Sequence, residues 1–250
     1  VLTPTLCCGN YRGKVQNAST VAGEWLGKTA SRLRASLFVL DQHFPSRIIG
    51  VHLMALHTDE WFMPQATPYG GGPSGPLAGF WDYSASMQSD FVAASPSCAG
   101  LIPAPAALDK VTVGNSWLDG STPRSSCAIQ WFRFMSASVA RAIDTLAQAV
   151  KDQSNGKCLT AAYNGYVYSL GSMPGSGHWA LDTLLASTGV DMIASPLMYG
   201  PPTRAPWGAP LVMGASDSAQ IHGKGWAMES DTRTFLCASV PAACAGNNFS

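Results

Sequence analysis

Charged residues are what this sequence has least of. Only 12% of its 250 residues are charged, whereas about 25% is typical of soluble globular domains. The 15 basic residues balance the 15 acidic ones, so the formal net charge is zero. Such a chain gives no electrostatic case for binding nucleic acid or an anionic membrane.

Several sequence signals are also missing. No apolar run reaches the roughly 18 residues of a membrane-spanning helix. The chain contains no G-x-S-x-G elbow, no G-x-x-x-x-G-K-[ST] loop and no G-x-G-x-x-G after a predicted strand, which disfavours α/β-hydrolases and nucleotide binding. His52, His57 and Asp59 lack the H-E-x-x-H spacing, so we expect no metal and no cofactor. Because the chain begins without Met or a charged-then-apolar leader, we expect a mature form or a fragment.

Cysteine, by contrast, is frequent: there are seven, none in a C-x-x-C pair. Together with low charge and two Asn-x-Ser sequons, they favour a secreted, extracellular protein with disulfides, although sequons also arise by chance and buried free cysteine is ordinary. One cysteine of the odd number is left unexplained. The expected disulfides are Cys98–Cys127 and Cys237–Cys244, and the expected glycosylation sites are Asn17 and Asn248.

The hydrophobic pattern predicts helices that alternate with short apolar strands. This alternation is typical of an α/β fold with a parallel sheet and right-handed crossovers. The predicted helices span 20–43, 128–152, about 178–187 and about 214–220, and the predicted strands lie at about 48–56, 158–163 and 190–196 and within 221–233.

The predicted organisation has one main domain. Residues 20–235 form the α/β domain, between an irregular segment 1–19 and an irregular tail 236–250. Within the domain, 63–126 is rich in proline and glycine, and we expect a long loop with one short helix near 81–91. Since it follows the carboxyl end of a strand, where ligands bind in α/β folds, we expect it on the binding face.

Two glutamates follow apolar strands and are the candidate catalytic pair. Hydrolysis of a glycosidic bond needs one carboxylic acid to protonate the leaving oxygen and a second carboxylate to attack or to activate water. Glu60 and Glu229 fit these roles, although two solvated charges at loop ends would look the same. Strand alternation places Gly223, Gly225, Ala227 and Glu229 on one face, which suits a narrow barrel interior.

Polar and aromatic residues near these strand ends are the candidate substrate-binding groups. Aromatic rings pack against sugar C–H faces, which favours a neutral, polyhydroxylated ligand, although about half of them would be core residues on sequence grounds alone. Arg233 would hold Glu229 ionised, or would form a plain surface ion pair, and Asp231 is a rival nucleophile. The candidates are His57, Asp59, Trp61, Tyr166, Tyr199, Trp226 and Arg233.

Four segments together resemble a known family. The strings at 49–62, 82–87, 191–196 and 222–234 are similar to the catalytic barrel of β-galactosidase-like glycoside hydrolases, with family 42 the nearest in pattern. The resemblance covers 20–235 and implies strands four to seven of an incomplete (β/α)8 TIM barrel. It implies a retaining, two-glutamate hydrolysis of β-glycosides, β-galactosides among them, with Glu60 as acid/base and Glu229 as nucleophile.

The chain departs from the family pattern in two ways. Asp59 stands where related enzymes carry an asparagine that contacts the sugar, and strands one to three and strand eight have no counterpart. The chain would then be part of a longer protein, a degenerate copy, or a domain completed by a partner, including a homo-oligomer or a larger extracellular assembly. We therefore carry two functional hypotheses: an active glycosidase, and a non-catalytic carbohydrate-binding or structural glycoprotein that retains the fold.

Overall fold

The protein has an α/β fold in which helices alternate with parallel strands. The structure, a computed structural model, describes residues 23–56, 60–62, 85–102, 122–168, 176–198 and 211–230. In chain order its elements are α1 (Gly23–His43), β1 (Gly50–Leu53), α2 (Ala85–Ala94), a 3-10 turn (Pro96–Cys98), α3 (Pro123–Ser154), β2 (Leu159–Tyr163), α4 (Leu181–Ala186), β3 (Met192–Pro196), α5 (Ser216–Ile221) and β4 (Gly225–Glu229).

The four described strands form one parallel sheet in the order β1-β2-β3-β4. Ala161 is opposite both His52 and Met192, and Glu229 is opposite Pro196. The α/β class and the parallel sheet are therefore as the sequence predicts. Among the described residues the sheet is open, with β1 and β4 as its two outer strands.

Helices cover one face of this sheet. The long helix α3 packs against β1, β2 and α4, and α1 packs on α3. Leu53, Ala162 and Ile193 point to this side and are buried in the main core. His52, the residue before Leu53 on β1, points to the opposite face and is exposed. The apolar run at 48–56 predicts a strand buried on both faces, and that prediction is wrong for the described part of the chain.

Local sequence signals fix both ends of α3. Thr122 caps its start: the Thr122 side chain accepts a hydrogen bond from the Ser125 N–H, and the Ser125 hydroxyl accepts one from the Thr122 N–H. Pro123 follows, with a backbone angle suited to the first helical position. The helix ends at Asn155, which adopts a left-handed conformation. It therefore starts five residues earlier than the apolar stripe alone predicts, because polar capping residues carry no apolar signal.

A partly buried polar network joins β2 to the start of β3. Asp191 accepts hydrogen bonds from the Lys151 ammonium and from the backbone and side chain of Thr160. Burial alone would raise the pKa of the Asp191 carboxyl, but these hydrogen bonds and the Lys151 charge outweigh it and lower that pKa. The network fixes the amino-terminal ends of the strands, opposite the end where Glu229 lies.

One disulfide joins the 3-10 turn to α3. Cys98 and Cys127 are bonded, with Cα atoms 5.5 Å apart, and this is the pair expected from the sequence. Cys158 is a buried free thiol. The other expected pair, Cys237–Cys244, and the sequons at Asn17 and Asn248 lie outside the described residues. No helix in the described part of the chain is long and apolar enough to cross a bilayer.

The disulfide leads to a stability prediction. Replacing Cys98 and Cys127 together by serine should lower the free energy of unfolding by about 2–4 kcal/mol, because the bond closes a loop of 29 residues. Urea unfolding with and without reductant measures this loss. Reductant should destabilise the wild type and leave the double variant unchanged; equal stability of wild type and variant under oxidising conditions would contradict the prediction.

Candidate functional site

Glu60 is held beside the end of β1, where it forms an isolated parallel bridge with Ala55. The Trp61 backbone N–H donates to the Ala55 carbonyl at 2.9 Å, and its indole N–H donates to the Leu53 carbonyl at 2.8 Å. Leu56 and Trp61 both have positive φ, 65° and 63°, which bulky residues rarely adopt. Such backbone strain persists only where surrounding contacts impose it, and it concentrates at functional sites.

Tyr166 is the direct partner of the Glu60 carboxylate. Its hydroxyl donates a hydrogen bond to Glu60 Oε1 at 2.9 Å, and the residue is fully buried. Burial strongly raises the pKa of the Tyr166 hydroxyl, and the charge and hydrogen bond of Glu60 and the charges of Tyr163 and Glu229 raise it further. The phenol therefore stays protonated and acts as a permanent donor to Glu60.

Glu229 lies at the carboxyl end of β4 and is half-buried. By strand alternation it shares the open sheet face with Tyr163 and His52, whose rings are in contact with centroids 4.6 Å apart. Partial burial of its ring lowers the pKa of His52, and the charge of Glu229 partly opposes that shift. Because the same charge also acts on Tyr166, the two candidate acids influence one phenol: Glu60 by contact, Glu229 through space.

A buried histidine connects the chain segments that carry Glu60 and Tyr166. His178 Nε2 lies 3.1 Å from the Glu60 carbonyl oxygen, and the Tyr166 backbone N–H donates to His178 Nδ1 at 3.3 Å. The imidazole stacks on Phe62, with ring centroids 4.1 Å apart and planes 15° from parallel. Burial lowers the pKa of His178 to about 3, although hydrogen bonds to the backbone of Glu60 and Trp61 act in the opposite direction.

His178 and Phe62 are site residues that the sequence pattern does not reveal. His178 is a lone histidine before a short helix, and nothing in its sequence neighbourhood distinguishes it from an ordinary surface or core histidine. Phe62 was included only as part of a family-like string. Their importance comes from contacts across more than a hundred residues of sequence, which no local pattern encodes.

Two predicted sugar-binding tryptophans are used for packing instead. Trp61 is fully buried with its indole N–H bonded, so its ring is not open to a ligand. Trp226 points to the opposite face of β4 from Glu229, and its ring lies so close to Gly214 that a Cβ there would come within 2.7 Å of it. Tyr166 does reach the site, as the partner of Glu60. His57, Asp59, Tyr199 and Arg233 lie outside the described residues.

Of the cavities lined by described residues, two stand out, and the lining of these two includes neither Glu60 nor Glu229. One, of about 770 Å³, lies between α2 and the segment near Gly100, and the other, of about 220 Å³, lies at the amino-terminal end of β1 and β2. Neither lining includes Glu60, Tyr166 or His178. We therefore place the candidate site around the contact between the Glu60 carboxylate and the Tyr166 phenol. Within the described segments no group of three His, Cys, Asp or Glu side chains could hold a metal ion.

Comparison with known proteins adds no relative: no family model, no curated protein and no solved structure matches the chain. The chemistry of the site must therefore be argued from its own residues.

Burial of neutral His178 predicts how stability depends on pH. The pKa of His178 is about 3 in the folded protein and about 6.5 in the unfolded chain. Its contribution to the free energy of unfolding is therefore complete above about pH 6.5 and is lost as the pH falls from there towards the folded pKa. The free energy of unfolding should fall by up to roughly 1.4 kcal/mol per pH unit from this group, and His52 adds to the loss in the same direction.

Urea unfolding between about pH 6.5 and pH 5, above the range where most carboxylates titrate, measures this slope. His178→Phe should be less stable than the wild type near neutral pH but should lose less stability on acidification. His43→Asn, at an exposed position, is the control and should keep the wild-type slope. Identical slopes for His178→Phe and the wild type would contradict the argument.

Proposed function

We propose that this protein is a retaining glycoside hydrolase that acts on β-glycosides, β-galactosides among them. Glu60 is the general acid/base and Glu229 is the nucleophile. The observation that carries the proposal is the buried Tyr166 phenol bonded to Glu60 beyond the end of β1, with Glu229 at the carboxyl end of β4 in the same parallel sheet. Double displacement requires two acids with a carboxyl separation of about 5–5.5 Å, and the proposal places Glu60 and Glu229 at that separation.

In the first step a Glu229 carboxylate oxygen attacks the anomeric carbon while Glu60 gives its proton to the departing glycosidic oxygen. The products are a covalent glycosyl-enzyme ester and the released alcohol. In the second step ionised Glu60 takes a proton from water, which attacks the anomeric carbon and releases Glu229. The Tyr166 phenol donates to the Glu60 carboxylate that the first step creates, and so stabilises the developing charge.

We further propose that the described strands are four to seven of a (β/α)8 barrel. The proposal is supported by the parallel order of β1 to β4, by helices packed on one face of the sheet and by acids at the carboxyl ends, where barrel enzymes place their catalytic groups. His57, Asp59, Tyr199 and Arg233 remain the predicted substrate contacts. The Cys98–Cys127 disulfide supports a secreted, oxidising setting.

A non-catalytic carbohydrate-binding or structural glycoprotein is the second candidate. Trp61 is buried and Trp226 packs against the core. Neither ring is then free to stack on an extended substrate, which favours this second candidate. Binding of an oligosaccharide by the wild type, without release of reducing sugar, would select this candidate over the enzyme.

Substitution of each acid tests the enzyme proposal. Glu229→Gln should abolish turnover of an aryl β-galactoside, because no carboxylate remains to attack the anomeric carbon. Glu60→Gln should lower kcat on an alkyl β-galactoside by roughly 10²–10⁴-fold, the usual contribution of a general acid, and should cost less on an aryl glycoside whose leaving group needs little protonation. Asp90→Asn, at an exposed position on α2, is the matched control. Wild-type turnover by Glu229→Gln would refute the assignment.

The Tyr166 phenol gives a separate prediction about pH. Tyr166→Phe removes the hydrogen bond that favours the ionised form of Glu60, so the acid should keep its proton to higher pH. The basic limb of the kcat/KM profile should therefore move to higher pH, with a lower maximum. Tyr168→Phe, at an exposed position nearby in sequence, should leave the profile unchanged. A basic limb that stays in place would show that Tyr166 does not act on the group that limits activity.

A further inference from the structure

We infer that His178 is the positioning residue of this site: one buried neutral imidazole, protonated at Nε2, holds the chain segments of Glu60 and Tyr166 in register. Its two ring nitrogens bond to backbone groups rather than to the Glu60 carboxylate or the Tyr166 phenol. It acts on the backbone of the two residues whose side chains form the carboxylate–phenol pair.

The hydrogen-bond partners fix the tautomer. The Tyr166 backbone N–H can only donate, so the Nδ1 atom that receives it must carry a lone pair. The Glu60 carbonyl oxygen can only accept, so Nε2 must carry the proton. The Nδ1–H tautomer would break both contacts, and an imidazolium would direct Nδ1–H at the Tyr166 N–H. Only one of the three protonation forms of the ring satisfies its surroundings.

The surroundings also fix the orientation of the ring. His178 is fully buried, Phe62 stacks on it, and the Tyr166 ring meets it edge-on with centroids 4.7 Å apart. Its backbone N–H donates to the Ser176 hydroxyl at 3.2 Å. Burial that lowers the pKa of His178 to about 3 keeps the ring neutral over the whole range in which the protein would work. The link between the segments is therefore insensitive to pH in that range.

The consequence is geometric. The phenol and the carboxylate belong to segments more than a hundred residues apart, and they meet at 2.9 Å. A shift of about 1 Å in a catalytic group can lower a rate by about 10²-fold. A ring that bonds both backbones removes the relative freedom of these segments, so its loss should lower activity even though it touches no substrate.

Three substitutions separate the two hydrogen bonds from the ring packing. In Gln the amide nitrogen takes the place of Nε2 and keeps the donor to Glu60, whereas in Asn the amide oxygen takes the place of Nδ1 and keeps the acceptor for Tyr166. Phe keeps the stack on Phe62 and loses both bonds. His222→Gln, at an exposed position, is the control.

The activity readout rests on the proposed function. His178→Phe should lower kcat/KM for an alkyl β-galactoside by about 10²-fold, mainly through kcat, because the acid is displaced and not the substrate contacts. The loss should be smaller on an aryl β-galactoside, whose leaving group needs little protonation. His178→Gln and His178→Asn should each recover part of this loss, and His222→Gln should match the wild type. Wild-type kcat/KM in folded His178→Phe, or a loss that neither Gln nor Asn reduces, would overturn the positioning role.

A second readout needs no activity. Nitrogen-15 NMR of the wild type should show that His178 carries a proton on Nε2 and none on Nδ1. The imidazole should not titrate between about pH 5 and pH 8. Hydrogen exchange should show a protected Tyr166 amide in the wild type and in His178→Asn, and an exposed one in His178→Phe and His178→Gln. A proton on Nδ1, or an imidazole that titrates near pH 6.5, would overturn the inference. Absence of hydrolysis with this NMR pattern intact would count against the proposed function alone.

Discussion

The structure depends on the parallel register of four short strands. Parallel pairing places every carboxyl end at one edge, so Glu229 at the end of β4 and Glu60 beside the end of β1 are brought towards the same side. Close approach of the strands needs glycine at the start of each outer strand. A Cβ on Gly50 would lie 2.8 Å from the Leu159 carbonyl oxygen, and one on Gly225 would lie 2.8 Å from the Met192 side chain. The register therefore limits side-chain size at the amino-terminal end of the sheet and places Glu60 and Glu229 at the carboxyl end.

The two ends of the sheet use polar groups differently. At the amino-terminal end Asp191 is ionised and paired with Lys151, an arrangement that holds strands together. At the carboxyl end the buried groups around Glu60 are neutral donors and acceptors: the Tyr166 phenol and the His178 imidazole. Neutral dipoles oriented by aromatic packing can act on a carboxylate without bringing in a counter-charge that would neutralise it. That difference is why we assign a structural role to one cluster and a chemical role to the other.

Much of the fold could be predicted from the sequence, because it is encoded locally. The apolar spacing of α3 and the short apolar runs at β2 and β3 gave the correct order of helices and strands, and only the ends shifted. The site was less predictable. Positions at strand ends made Glu60 and Tyr166 candidates, and the structure brings the two side chains into contact. Trp61 was expected to bind sugar and is buried, and His178 has no sequence signal. Aromatic and histidine side chains have the same local signature in a core as in a binding site.

The sequence by itself determined the alternation of helix and strand, the parallel α/β class and the two glutamates as the acids to consider. Periodicity and short apolar runs are properties of neighbouring residues, so no tertiary information is needed for them. Only the tertiary structure decided which face of the sheet the helices cover, which tryptophans are buried, and that one imidazole joins Glu60 to Tyr166. Those outcomes depend on contacts between residues distant in the sequence, and burial and hydrogen bonding are settled only when such segments pack together.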